Sequence, residues 1–425
     1  MPVPPLAAEK TREVFWHLST FLEILWYVLA IASVVVFAYG IAIPLAKYRR
    51  GHRAWLPPRG ELRERFAAAT RTLLAHSSIK RRDPYVGWAH RGIFYGFVVL
   101  FIGTVILVVN TDVTERIFGW RFFKGAFSLA YSIVLDVLGL ALIAGLALMM
   151  VRRGLIRPRK LDYARPDRAP GDPQYDRRVY RTGDWVFLGA LLYLALTGYL
   201  LEGVRIAMDA PGYDGFSPPG WVAAQIYGGL GLSDGTLRTI RHVIWWSHGL
   251  VAIAFVAAIP YTKAAHMLTS YASLVLRDPQ AGKRLRPIPP GKEDEPAGYA
   301  TLADFSVNHL LHLDACTKCG KCHEACPANA TGRPLSRQLA EHAAGHPQVR
   351  QLVRREQAQA RALGQGARLR GQGRARGARR RPVVRRRLRV VRPALAEGHP
   401  GHRPALPRGR GRLRDPLRRR AQLRQ

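Results

Sequence analysis

Five apolar stretches, each close to the length of a membrane span, limit this chain more than any other feature. They run from about Phe21 to Ala46, Gly92 to Val109, Phe127 to Met150, Trp185 to Leu201 and Ile240 to Met267. A hydrocarbon core takes about 20 apolar residues per helix. Lipid offers no partner to backbone N–H and C=O groups, so such stretches have to be helices. The first is too long for the apolar core of a signal peptide and no small-residue cleavage site follows it, so it reads as a span. The expected fold class is an all-α membrane protein: a five-helix transmembrane bundle, then a small segment that holds every cysteine of the chain, and a disordered Arg-rich tail. The expected domains are the membrane domain over 1–275, a linker over 276–298, the cysteine segment over 299–336 and the tail over 337–425.

The formal charge of +36 is unevenly placed. From Arg337 onward there are 26 Arg against four acids. In the membrane domain, basic residues crowd two loops. One runs from Lys47 to Arg82 and the other from Arg152 to Arg181. The alternate loops carry acids such as Asp112, Glu115, Asp209, Asp214 and Asp234. The positive-inside rule then puts the N-terminus outside a bacterial cell membrane, and both basic loops and everything after Met267 in the cytoplasm.

All four cysteines fall in one run, Cys316, Cys319, Cys322 and Cys326, followed by Pro327. The spacing C-x2-C-x2-C-x3-C-P is that of bacterial ferredoxins, which hold a [4Fe-4S] cluster. Thiolates suit iron, and Gly320 allows the backbone to come close to a sulfide. In two-cluster ferredoxins the fourth cysteine of such a run ligates the other cluster, and this chain has no second run. Zinc is one alternative, although structural zinc sites usually carry two separated Cys/His pairs. Disulfide pairing is the other, and cysteines this crowded cannot all meet bridge geometry. A reducing cytosol keeps thiols free, in line with the orientation above.

Ionisable residues inside a span are expensive and point to function. His248 and His266 lie in the fifth stretch, 18 residues apart. On one continuous helix that is five turns, one face and about 27 Å. His90 lies at the inner mouth of the second stretch, so His90 and His266 are the expected axial pair of a haem b. Interfacial histidines facing headgroups are the alternative. His248 serves a second, outer haem or lines a quinone pocket. Asp136, Glu202 and Arg205 are candidates for the proton-handling groups of a quinone site, and Glu202 and Arg205 can pair at i, i+3. A structural ion pair is the competing explanation.

With these residues in place, residues 1 to about 275 resemble the five-helix cytochrome b subunit of respiratory nitrate reductase. That family sets two histidines 18 residues apart on its last span, matching His248 and His266. Its second span has two, of which His90 matches the inner one. Trp88 to His90, Thr197 to Ala207, Trp245 to His248 and Ile259 to His266 are more specifically similar to a fused family. That family joins this membrane domain to a heterodisulfide-reductase-D-like iron–sulfur domain and includes electron-transfer-flavoprotein:menaquinone oxidoreductases. Leu302 to Phe305 and Cys316 to Ser336 continue the likeness. The resemblance implies a cytoplasmic electron-donor protein (electron-transfer flavoprotein), a cluster, haem b, and menaquinone or another quinone in membrane lipid. It also implies a second cysteine run, which this chain lacks.

The tail has no aromatic residue, Ile, Lys, Ser or Thr, so it cannot bury a core. Nucleic-acid arms mix Lys with Arg, and single-strand binders add aromatics, so no specific nucleic acid is expected. A shifted reading frame near codon 337 of a GC-rich gene is the favoured account. The expected function is a quinone-linked iron–sulfur/haem oxidoreductase. The alternative is a non-catalytic membrane anchor whose single metal knuckle docks a partner.

Overall fold

The computed structural model describes Phe15 and residues 19–51, 57–161, 178–209, 214–279 and 304–327. The linker beyond residue 279, residues 328–336 of the cysteine segment and the whole Arg-rich tail lie outside the described residues. The described residues form helices and no strand. In chain order the helices used below are α1 (Thr20–Tyr48), α2 (Leu62–Ala75), α3 (Pro84–Val108), α4 (Gly125–Val151), α5 (Arg178–Asp209), α6 (Pro218–Gly229), α7 (Asp234–Ala258), α8 (His266–Val275), α9 (Val307–Asp314) and α10 (Lys321–Ala325). Five spans are long and apolar enough to cross a membrane: Thr20–Tyr48, Pro84–Phe118, Gly125–Ile156, Tyr180–Asp209 and Asp234–Tyr261. The chain is thus a multi-pass membrane protein.

Short polar side chains set the helix starts. Ser19 Oγ accepts the Leu22 N–H at 3.5 Å, and Ser233 Oγ accepts the Thr236 N–H at 3.3 Å. Asp83 accepts the Val86 N–H at 3.2 Å, and Pro84 occupies the first helical position, where its missing N–H costs nothing. This cap starts α3 eight residues before the apolar stretch does, so His90 lies within the helix and not at its mouth. At their far ends α3 and α4 run on into π-helical turns, Val109–Glu115 and Arg152–Ile156.

Lipid is as apolar as leucine, so the spans associate by close backbone approach. The tightest pair is α3 with α4, and glycines make it. A Cβ at Gly96 would stand 2.5 Å from the Leu138 carbonyl oxygen, and one at Gly145 would stand 2.5 Å from that of Ala89. Leu142, Leu146, Leu188 and Leu191 of α4 and α5 form a buried cluster beside them. The opposite faces, including Ile24, Val28, Ile31 and Val35 of α1, are exposed and apolar, as a lipid-facing surface requires.

The fifth span departs from expectation. His248 and His266 do not share a continuous helix. α7 stops at Ala258, two 3-10 turns follow (Ile259–Tyr261 and Lys263–Ala265), and His266 opens α8. Pro260 has no N–H to give the α7 ladder. Thr262 is extended, and its hydroxyl accepts the Ala264 N–H at 3.3 Å, which restarts the chain in a new direction. α1 accommodates the bend: a Cβ at Gly40 would stand 2.7 Å from Pro260 Cβ, and Tyr261 OH donates to the Val36 carbonyl at 3.1 Å.

Candidate metal centre

The cysteine loop sits on the end of the bundle that carries Lys47, Arg152 and Lys160. Ser306 caps α9 by accepting the His309 N–H at 3.3 Å. Leu310 and Leu311 are buried, and Asn308 Nδ2 donates to the Leu276 carbonyl at 2.7 Å. At the end of α9, Asp314 accepts from Lys47 Nζ at 2.5 Å and from Tyr48 OH at 2.5 Å. Lys160 Nζ bridges Asp83 at 3.0 Å and Glu324 of α10 at 2.9 Å. Asp83 also accepts from Arg152 Nη2 at 2.6 Å. Lys160 and Arg152 hold the Asp83 carboxyl below its ordinary value, against the upward push of burial.

Two left-handed residues turn the loop, Lys318 (φ 57°) and Gly320 (φ 75°). A glycine takes that conformation without steric cost. A Cβ at 320 would also collide with the Lys160 carbonyl oxygen. The missing side chain therefore makes room for the Lys160 backbone, a role the sequence reading had given to a sulfide. Lys318 Nζ stands over the Tyr180 ring, 2.8 Å from its centre.

None of the four cysteines is in a disulfide. Cys316 and Cys326 are half-buried, and Cys319 and Cys322 are exposed. Burial pushes the Cys316 thiol up, and a hydrogen bond from the Lys318 backbone N–H acts the other way. Cys319 and Cys322 are its electrostatic neighbours. Among the described residues no three His, Cys, Asp or Glu side chains form a closed metal cage. The fit to a cluster therefore rests on four cysteines outside any disulfide, a left-handed loop and a backbone N–H aimed at sulfur, features that suit iron–sulfur ligation.

Beneath the loop lie two half-buried histidines. His266 Nδ1 donates to the Lys263 carbonyl at 2.5 Å, which leaves Nε2 as the nitrogen able to bind a metal. His90 has His266 and Lys321 of the cysteine loop within electrostatic reach. Its Nδ1 is buried with no hydrogen-bond partner. Lys263 joins the two levels. Its side chain is an electrostatic neighbour of Cys316 and an ion-pair partner of Asp184, which also contacts Arg153. Burial, together with the Arg153 and Lys318 charges, pushes the Lys263 ammonium down to about 7, and Cys316 opposes that.

His248 stands apart from this group, near the middle of Asp234–Tyr261. Its Nδ1 meets Thr197 Oγ1 at 2.8 Å, and Thr197 donates onward to the Tyr193 carbonyl at 2.6 Å. The candidate proton-handling residues lie farther from the cysteine loop. Glu202 is buried, pairs with Arg205 at 2.5 Å and accepts from Ser217 Oγ at 3.2 Å. Asp136 is buried in α4, where its backbone carbonyl accepts from Tyr199 OH at 2.6 Å.

Sequence reasoning passed over His76. It is 3% exposed, and its ring centre lies 5.2 Å from that of His90. It belongs to no apolar stretch and closes the amphipathic α2, so a search for histidines within spans misses it. The one available signal is that His, unlike most residues, tolerates the left-handed conformation found here (φ 49°).

Residues 310–330 match the 4Fe-4S binding domain family, which takes in all four cysteines. The chain is 32% identical over 332 residues to the EtfAB:quinone oxidoreductase of Syntrophomonas wolfei, an alignment covering 74% of this chain and 42% of that protein. It is 22% identical over 315 residues to FadF of Bacillus subtilis, described as a probable iron-sulfur-binding oxidoreductase, covering 74% of this chain and 41% of that one. A probable membrane-anchored ferredoxin of Chromohalobacter salexigens is 24% identical over 319 residues, covering 74% and 40%. No solved structure matches the chain. The chain spans about two fifths of the length of the curated relatives it matches, and over that part it is similar to membrane-associated iron–sulfur oxidoreductases.

Proposed function

We propose that this chain is the membrane part of an iron–sulfur/haem b oxidoreductase that passes electrons between a cytoplasmic donor, electron-transfer flavoprotein, and a membrane quinone such as menaquinone. One observation carries the reading: the four-cysteine loop is packed on the end of the bundle where His90 and His266 lie half-buried. The names of the relatives, an electron-transfer-flavoprotein:quinone oxidoreductase among them, support the donor and the acceptor. A [4Fe-4S] cluster on Cys316, Cys319, Cys322 and Cys326 and a haem b on His90 and His266 would supply one-electron carriers at the surface and inside the membrane. The protein's own residues hold the two sites together. Lys47, Tyr48 and Lys160 clamp the loop to the bundle. Lys263 touches both levels, with its side chain beside Cys316 and its carbonyl bound to His266. The basic residues at this end make it the cytoplasmic face under the positive-inside rule. A quinone needs protons as well as electrons, and Asp136, Glu202 and Arg205 toward the other face are the groups proposed to handle them. His248 is proposed for a second haem or the wall of the quinone pocket.

The test is the absorption spectrum of the purified detergent-solubilised protein, with iron and acid-labile sulfide content. A Soret band that shifts on dithionite reduction, lost in His90→Ala and in His266→Ala, is expected. Zinc in place of iron, or no pigment after reconstitution with haem, overturns the proposal.

A further inference from the structure

The buried imidazole of His76 has no part in the reading above. Four contacts fix this end of α2 and the ring that closes it. His76 closes α2 in the left-handed conformation, and its backbone N–H donates to the Leu73 carbonyl at 3.3 Å. Arg91 Nη2 donates to the Ala75 carbonyl at 3.2 Å and Tyr95 OH to the Leu74 carbonyl at 2.8 Å, so α3 pins the end of α2. Phe94 packs edge-on against the ring at 4.9 Å.

The tautomer then follows from its partners. His76 Nδ1 meets the Leu74 carbonyl at 3.2 Å, and a carbonyl can only accept, so Nδ1 carries the proton. Its Nε2 is therefore a bare acceptor, buried and without a partner. The neighbouring ring is His90, whose Nδ1 is also buried and without a partner. The ring centres are 5.2 Å apart and the planes are tilted by 52°. The two nitrogens are not hydrogen-bonded to each other here, but this spacing lets one nitrogen of each ring come within hydrogen-bond distance on ring rotation. Two orphaned nitrogens, one an acceptor and the other able to donate, thus belong to adjacent rings.

We infer that His76 is a positioning residue of the inner haem site: its Nε2 accepts the Nδ1–H of His90 and so leaves Nε2 of His90 for the iron. Metal-bound histidines commonly donate their second N–H to such a partner, which fixes ring and tautomer. The inference rests on the proposal that His90 and His266 hold a haem.

The experiment uses the full chain in detergent and compares His76→Asn, His76→Gln and His90→Ala with wild type. Asn suits the left-handed backbone and keeps an N–H toward Leu74, but removes the Nε2 acceptor. Gln carries an oxygen to the place of Nε2. The readouts are haem per chain, the rate of haem transfer to apomyoglobin and the haem midpoint potential, with far-ultraviolet circular dichroism as the folding control. His76→Asn is expected to lose haem about 10- to 100-fold faster. If tenfold of that falls on one oxidation state alone, the potential moves by about 59 mV. His76→Gln is expected to restore most of both. Wild-type retention and potential in His76→Asn overturn the inference, and so does a His76→Gln variant as impaired as His76→Asn. Loss of the low-spin spectrum in His76→Asn with its survival in His90→Ala makes His76 a ligand and overturns the inference too. A wild-type protein that takes up no haem overturns the underlying proposal and the inference with it.

Discussion

Asp314→Ala removes the carboxylate that ties the end of α9 to α1. In the wild type it receives three short hydrogen bonds, two from Lys47 and one from Tyr48. The two charged side chains are 22% and 30% exposed, so the ion pair is discounted to about 1 kcal/mol. The Tyr48 bond to a charged acceptor adds about 1.5 kcal/mol. The sum, about 2–2.5 kcal/mol, shifts the balance between seated and unseated loop by about 30- to 60-fold, at 1.4 kcal/mol per factor of ten. Asp314→Asn keeps a Tyr48 acceptor and loses only the ion pair, an effect of about fivefold. Hydrogen exchange reads this directly, because local opening sets the protection of buried amides. The Leu310 and Leu311 amides should lose protection by those factors, in that order, while amides of α4 do not change. Equal protection in wild type and Asp314→Ala would refute the reasoning, since it would mean that burial of Leu310 and Leu311 alone seats the loop.

Four further outcomes are expected. Gly96→Leu forces a side chain against the Leu138 carbonyl and should cost about 1–3 kcal/mol, read as a lower melting temperature in detergent. Gly189→Ala, in a helix with open space around it, should instead gain about 0.5–1 kcal/mol, and a loss there would count against the packing described. Because the folded state holds the Asp83 carboxyl below its ordinary value, the stability it contributes is present above that value and lost as pH falls through the lower folded one. Asp83→Asn should flatten the acid limb of a melting-temperature profile, and an unchanged limb would rule out this source. Cys319→Ala should abolish iron and labile sulfide while leaving the helix content intact by circular dichroism.

Much of the fold can be read in the sequence because lipid leaves the backbone no alternative to helix, and hydropathy alone locates the five spans. Their ends are less legible. Hydropathy places the second span at Gly92, whereas the Asp83–Pro84 cap starts the helix earlier and carries His90 inside. The bend after Ala258 was foreshadowed by Pro260, but proline also occurs inside α1 at Pro44 without ending the helix. What differs is tertiary: Gly40 and the Val36 carbonyl stand ready to receive the displaced turn. The cysteine spacing announces a metal loop, yet not where it sits. Its contacts with Lys47, Lys160 and Tyr180 come from residues more than 130 positions away, beyond any periodicity. His76 stayed hidden for the same reason, since its significance is the ring it faces and not the helix it ends.

The seat of the cysteine loop has a consequence for biogenesis. Each side chain that grips it, from Lys47 to Lys263, is made earlier on the ribosome and belongs to, or directly follows, one of the five spans. A membrane domain with a missing or misordered helix presents no complete cradle, so the loop acts as an inspector of the work done before it. Metal loading would then follow only on a correctly assembled bundle.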